Sequence, residues 1–208
     1  MVRKKKQVVY PIIFMIIVTS VFTLVLAIIN DLTYDTIQEQ SRIKTYSKLL
    51  YALDIEYENN DESIVSTYNA YITEESTSNY TYYIAEENGE ILGYAFEVIG
   101  NGLWGQIRSY VAFNESFQEL KGVDFISHSE TPGLGGRIDE RWFVDQFQGI
   151  ELTQSEDGEF LIFKPSIGGN IDSITGATQT SKSVRTMFNE NIEEILQVKE
   201  EVINESAN

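Results

Sequence analysis

From Val8 to Ile29 the chain carries no charged residue, and this run constrains the molecule more than any other feature. As a helix its 22 residues would extend about 33 Å at ~1.5 Å per residue. That is enough to cross a hydrocarbon core of roughly 30 Å. Arg3, Lys4, Lys5 and Lys6 precede the run, while Asp31 and Asp35 follow it. The positive-inside rule therefore predicts a cytoplasmic basic end at 1–7, a transmembrane helix at 8–29 and the remaining chain on the outer side of the membrane. A cleaved signal peptide has a shorter apolar core of about 7–15 residues and a small-residue cleavage site. Ala27-Ile28-Ile29-Asn30-Asp31 offers no good site of that kind, so the reading is an uncleaved anchor in contact with lipid. Thr19, Ser20 and Thr23 are small polar residues suited to packing against neighbouring membrane helices.

Beyond the anchor, the patterns predict an α+β domain. Ile37, Ile43, Tyr46, Leu49, Leu50 and Leu53 approach helical spacing over 34–53. The stretch 57–79 is polar, with helix at most around Ile64–Ile72, so 30–79 reads as a connecting helical region. Strands are predicted at Tyr80–Ala85 and Ile91–Ile99, joined at Asn88-Gly89, a strong hairpin signal. Further strands are expected at Gln106–Phe113, Gly122–His128 and Phe160–Phe163, with a short helix over Ile138–Phe147. Val184, Met187, Phe188, Ile192, Ile195 and Leu196 mark a C-terminal helix. Strands in series with few interleaved helices imply an antiparallel sheet. The domain is predicted to occupy 80–197, with 198–208 a frayed polar tail.

Composition removes several chemistries. The chain has no cysteine, which excludes disulfides, cysteine-ligated clusters and a lipidated N-terminal cysteine. A single histidine, His128, leaves no histidine-based metal cluster. The formal net charge is −17, and four of the fifteen basic residues are clustered before the apolar run. So acidic a domain is unsuited to nucleic acid, whose binding rests on phosphate neutralisation. A charge of that size can steer a cationic partner or keep a domain soluble, and solubility is the role expected here.

Three segments carry the chemistry. Asp172-Ser173-Ile174-Thr175-Gly176-Ala177-Thr178 puts a threonine hydroxyl at the predicted start of the last helix, where free amides and the macrodipole favour phosphate. Gly176 permits a tight turn there. An ordinary N-cap explains such a threonine equally well on its own. His128-Ser129-Glu130-Thr131-Pro132-Gly133-Leu134-Gly135-Gly136 is a glycine-rich loop stiffened by Pro132. Gly100-Asn101-Gly102-Leu103-Trp104-Gly105 fits a dinucleotide-binding Gly-x-Gly-x-x-Gly, but that pattern must open a helix. Here Gln106–Phe113 alternates as a strand, so the nucleotide-fold reading fails.

Together these segments resemble the covalent FMN-binding family. Asp172-x-x-Thr175-Gly176-Ala177-Thr178 resembles its flavinylation motif, with Thr175 where serine is usual. Glu130–Gly135 resembles its Glu-Thr-Pro-Gly-Leu-Gly loop. Gly93–Phe96, Gly102–Gly105 and Trp142–Gly149 look most like the branch that forms the C subunit of the Na+-translocating NADH:quinone reductase. The G subunit of the Rnf ferredoxin:NAD complex shares the first two motifs. The resemblance implies FMN esterified through its phosphate to Thr178 by a flavin transferase. It also implies that Asp172, Thr175, Gly176 and Ala177 shape the attachment turn, and that Glu130, Thr131, Leu134, Gly135, Leu103 and Trp104 line the flavin pocket. Lys182, one turn past Thr178, is a candidate to offset the phosphate charge. The implied function is electron transfer among the other membrane subunits of an ion-translocating NADH:quinone reductase, with no substrate site of its own. The alternatives are the G subunit of an Rnf complex and a flavin-free, membrane-tethered binding domain.

Overall fold

The computed structural model describes residues 2–76 and 81–206. The chain divides into two units, Met1–Arg42 and Ile43–Asn208. The described residues of the first are helical. Helix α1 runs Val2–Ala52 with Pro11 inside it, and its apolar side chains, among them Ile12, Phe14, Ile16, Phe22 and Leu26, are exposed. The helix is long and apolar enough to cross a membrane, with an 18-residue window of mean hydropathy 3.0. The side chains of Arg3 to Lys6 lie outside the described residues. Anchor and following helix were expected as separate elements; they form one, because Asn30-Asp31-Leu32-Thr33 contains neither glycine nor proline to interrupt it.

In the second unit the last turns of α1 lead to helix α2, Asp61–Tyr71. Its start is capped by Asn60, whose Oδ1 accepts from the Ser63 N–H at 2.8 Å. Six strands follow: β1 Ile72–Ser76, β2 Thr81–Glu87, β3 Glu90–Asn101, β4 Gln106–Phe113, β5 Glu119–Ser127 and β6 Ile150–Glu151. They pair in sequence order as one antiparallel sheet. Between β5 and β6 lies helix α3, Arg141–Val144. Helix α4, Thr178–Ser206, ends the described chain.

Side-chain alternation gives the sheet two buried faces. Phe96, Val98, Val111, Phe113, Val123 and Phe125 meet Val184, Phe188, Ile192 and Ile195 of α4. On the reverse, Ala95, Tyr110 and Ala112 meet Leu49 and Ala52 of α1 and Leu53 just beyond it. The layers are also joined by a buried carboxylate: Asp124 on β5 bonds Lys48 Nζ at 2.9 Å and Arg141 of α3 at 3.0 Å. Phe188 packs against Phe125 and Phe147 at ring-centroid distances of 5.8 and 5.2 Å. Truncating Phe188 to alanine is expected to cost about 3–5 kcal/mol, read as a lower urea midpoint with unchanged slope.

The predicted α+β architecture with an antiparallel sheet is the observed one. The hairpin at Asn88-Gly89 forms, with both residues at positive φ, 53° and 87°, as a two-residue turn of this kind requires. Tyr80, the expected start of β2, lies outside the described residues. Other details differ. Strand β1 was not anticipated, since Ile-Thr-Glu-Glu-Ser has an almost wholly exposed side-chain pattern and no apolar alternation. The expected strand Phe160–Phe163 is not one. Asn189 Oδ1 accepts the N–H groups of Phe160 and Leu161, and Asn170 Oδ1 accepts that of Ile162. Side-chain amides take up those three N–H groups, and the segment is left with a single isolated bridge from Phe163 to Ile171. The helix expected over Ile138–Phe147 is α3 flanked by 3-10 turns at Gly135–Asp139 and Asp145–Phe147. It breaks at Glu140, whose backbone is extended. The tail expected to fray is instead helical through Ser206, with Val202 wholly buried in the core.

Candidate functional site

The two loops and the helix start singled out in the sequence meet at one end of the sheet. The β3–β4 hairpin closes through Gly102–Gly105, where the Gly102 N–H donates to the Gly105 carbonyl at 2.7 Å. Strand β5 pairs Ser127 with Arg108 near the same end, so the chain leaving β5 enters the His128–Gly136 loop beside that hairpin tip. That loop folds on itself, with the N–H groups of Leu134 and Gly136 both donating to the Thr131 carbonyl.

Helix α4 begins beside these loops because its lead-in is pinned by burial. Ile174 and Ala177 are buried, and Gly176 between them takes φ +81°. The Ile174 N–H donates to Ser181 Oγ at 3.0 Å, and the Ala177 N–H donates to the Ile174 carbonyl at 3.0 Å. The Ser181 N–H donates to the Ala177 carbonyl, so the amides of Thr178, Gln179 and Thr180 form the open first turn. Those amides and the positive end of the helix favour an anionic group.

Glu130, 5% exposed, joins the three segments. Its Oε1 accepts from the N–H groups of Leu103 at 2.8 Å and Trp104 at 3.1 Å. Its Oε2 accepts from the Thr180 hydroxyl at 2.5 Å. Two glycines make room for this carboxylate. A Cβ on Gly135 would lie 2.5 Å from Thr180 Oγ1 and 2.6 Å from Glu130 Oε2, and one on Gly102 would lie 2.6 Å from Glu130 Oε1.

Around this hub is a cleft of about 360 Å³. It is lined by Leu103, Trp104, Glu130, Thr131, Leu134, Gly135, Gly176, Ala177 and Thr178, all foreseen from sequence, and also by Gln179 and Thr180, which were not. Leu103, Trp104 and Leu134 are exposed apolar side chains at its rim. Asp172 and Thr175 line the neighbouring opening instead, with Arg137, Trp142 and Lys164. Asp172 pairs there with Lys164 Nζ at 2.8 Å, and its N–H donates to Gln146 Oε1. Lys182 is exposed on α4 and lines neither opening. A larger opening of about 840 Å³ beside Tyr51, Tyr57 and Arg141 gathers none of the foreseen residues.

His128 supports the hub from behind. Its Nδ1 accepts from the Glu130 N–H at 3.1 Å, and its Nε2 lies 3.1 Å from Asp139 Oδ2. Burial pushes the Asp139 carboxyl upward, but the His128 hydrogen bond and the charges of Lys48, His128 and Lys44 outweigh it and hold the group below 3.8. A carboxyl depressed in the folded state stabilises the fold above its unfolded value, and that contribution disappears as pH falls through the folded value. Urea midpoints taken stepwise from neutral to acid pH are expected to fall less steeply below about pH 4 in Asp139→Asn than in the parent chain.

Residues 102–193, which contain the His128–Gly136 and Asp172–Thr178 segments and Gly102–Gly105 of the third, match the FMN-binding domain family model. The G subunit of an ion-translocating oxidoreductase complex from Shewanella piezotolerans is 32% identical over 163 residues, covering 76% of this chain and 74% of that protein. The chain belongs to the FMN-binding domain family. A second relative, the C subunit of the Na(+)-translocating NADH-quinone reductase of Yersinia pestis, is 30% identical over 113 residues, or 52% of this chain and 42% of that protein. Among solved structures, the C subunit of the Parabacteroides distasonis Na(+)-translocating NADH-quinone reductase superposes with a TM-score of 0.64 at 22% identity, covering 76% of this chain and 92% of that one. NqrC of Shewanella oneidensis gives 0.61 at 20%, covering 72% and 91%. At those identities the likeness is one of fold.

The cleft fits the family's ligand. Its rim is apolar where a flat aromatic ring system would lie, and its floor is the open first turn of α4, where a phosphate would sit.

Proposed function

We propose that this chain is a membrane-anchored electron carrier with FMN held as a phosphoester on Thr178 Oγ. The observation that carries the reading is the state of five neighbouring hydroxyls. Ser173 donates to the Lys164 carbonyl, Thr180 donates to Glu130, and Ser181 is 3% exposed and accepts from Ile174. Thr175 lies in the other opening. Thr178 is exposed, has no hydrogen-bond partner among the described residues and, unlike Thr175, which is also exposed, lines the cleft.

In the attachment step Thr178 Oγ loses its proton and bonds to the phosphorus of a phosphoanhydride-activated FMN carried by a flavin transferase. The anhydride P–O bond breaks and the leaving phosphate takes its electron pair. The α4 amides would hold the resulting phosphodiester anion, and Leu103, Trp104 and Leu134 would cover the ring. Bound FMN accepts and passes on electrons, while the protein orients it.

The wider assembly is read from the relatives. Both kinds belong to ion-translocating complexes by name, and the longer alignment is with the G subunit, at 74% of that protein against 42% for the C subunit. An ion-translocating oxidoreductase of the kind that contains the G subunit is the assembly favoured, with its membrane subunits as electron donors and acceptors. The apolar part of α1 is the anchor, its basic end cytoplasmic and the flavin domain on the opposite side. Intact-mass measurement of the full chain from its native membrane tests the cofactor. The expected mass is the polypeptide plus one FMN less one water. The bare polypeptide mass would sink the reading in favour of a flavin-free binding domain.

A further inference from the structure

We propose that Thr180 is a positioning residue of the cleft, acting through Glu130 on the Leu103–Trp104 wall. The role in electron transfer rests on the reading of the cleft as a flavin site; the latch itself does not. Thr180 is two residues beyond Thr178, 2% exposed, and spends its only hydroxyl proton on Glu130 Oε2. The other oxygen of that carboxylate holds the N–H groups of Leu103 and Trp104. A carboxylate is rigid and planar, so fixing one oxygen fixes the direction in which the other accepts. The helix that carries Thr178 and the loop that carries Trp104 are thereby held in one geometry.

The packing supports a tuned contact rather than an incidental one. Gly135 leaves room for no side chain between the Thr180 hydroxyl and the carboxylate, and Gly102 leaves none beside Oε1. Trp104 itself is 67% exposed, so burial does not hold it. The two amide bonds to Glu130 tie its backbone to the hub. The hydroxyl two residues beyond the proposed attachment point therefore governs how the wall is held.

The test compares the full-length parent, Thr180→Val and Thr180→Ser in detergent, each with and without flavin loading. In Thr180→Val, amide hydrogen exchange at Leu103 and Trp104 is expected to accelerate on the order of tenfold, the loss of one charge-assisted bond. Core amides such as those of Val111 and Phe125 should keep parental rates. In loaded protein the flavin's visible circular dichroism should change in Thr180→Val, with attachment intact by mass, and should return in Thr180→Ser. Parental exchange at both amides in Thr180→Val overturns the latch, and so does a uniform acceleration across the domain. A parent that carries no flavin overturns the function proposed above, while the exchange comparison still decides the latch.

Discussion

Thr178→Ala is expected to abolish flavin fluorescence from the chain on a denaturing gel, while Thr178→Ser keeps it. The hydroxyl is exposed and without a partner among the described residues, so its loss removes the ester oxygen and little else. The variant should stay folded, within about 0.5 kcal/mol of the parent. Neighbouring hydroxyls offer no substitute. Thr180 and Ser181 are buried and committed to Glu130 and Ile174, and Thr175 opens on the far side of the Gly176 turn beside Lys164 and Trp142. The comparison requires co-expression with the flavin transferase and equal loading by total-protein stain. A band as bright in Thr178→Ala as in the parent would place the attachment elsewhere.

Glu130→Ala should be the most damaging single change in the cleft. It leaves the Leu103 and Trp104 amides and the Thr180 hydroxyl without their shared acceptor, in a position 5% exposed. Bonds to a charged acceptor are worth about 1.5–3 kcal/mol each, and water entering the gap recovers part of the loss. A net cost of about 3–5 kcal/mol is expected, with the melting midpoint lower by roughly 6–15 °C for a domain of this size. Glu130→Gln keeps one carbonyl acceptor for the two amides and offers Thr180 a donor in place of an acceptor, so it should cost about 1–2 kcal/mol. The ordering Ala, then Gln, then parent is the result to look for in urea midpoints. An alanine variant within about 1 kcal/mol of the parent would mean the carboxylate is not the hub.

The two variants probe different levels. Thr178 is chemistry at the surface of an intact site. Glu130 is the support that gives the site its shape. A chain changed at Thr178 should fold and lack flavin, while one changed at Glu130 should lose stability first and flavin orientation with it.

Much of this was legible in order along the chain. The apolar run, the Asn88-Gly89 turn, the strand at Gln106–Phe113 and the amphipathic spacing of α4 are local signals, each written within a dozen or two residues. The three motifs were also local, and nine of the eleven residues lining the cleft came from them. Features that depended on a distant partner were not legible. Strand β1 exists because β2 pairs with it, and Phe160–Phe163 is no strand because Asn170 and Asn189 take up its amides. Val202 is buried because the sheet offers α4 a surface long enough to continue on.

Sequence by itself determined the apolar N-terminal helix, the fold class and the family, since apolar periodicity and short glycine-rich motifs act over neighbouring residues. Tertiary structure alone decided which foreseen residues share a cleft. Asp172, Thr175 and Lys182 fall outside it. Thr180 falls inside, since its partner Glu130 is fifty positions away and no spacing rule connects a hydroxyl to a carboxylate across that distance. A hydrogen bond is set by separations of about 3 Å in space, and only the folded sheet brings those two atoms so close.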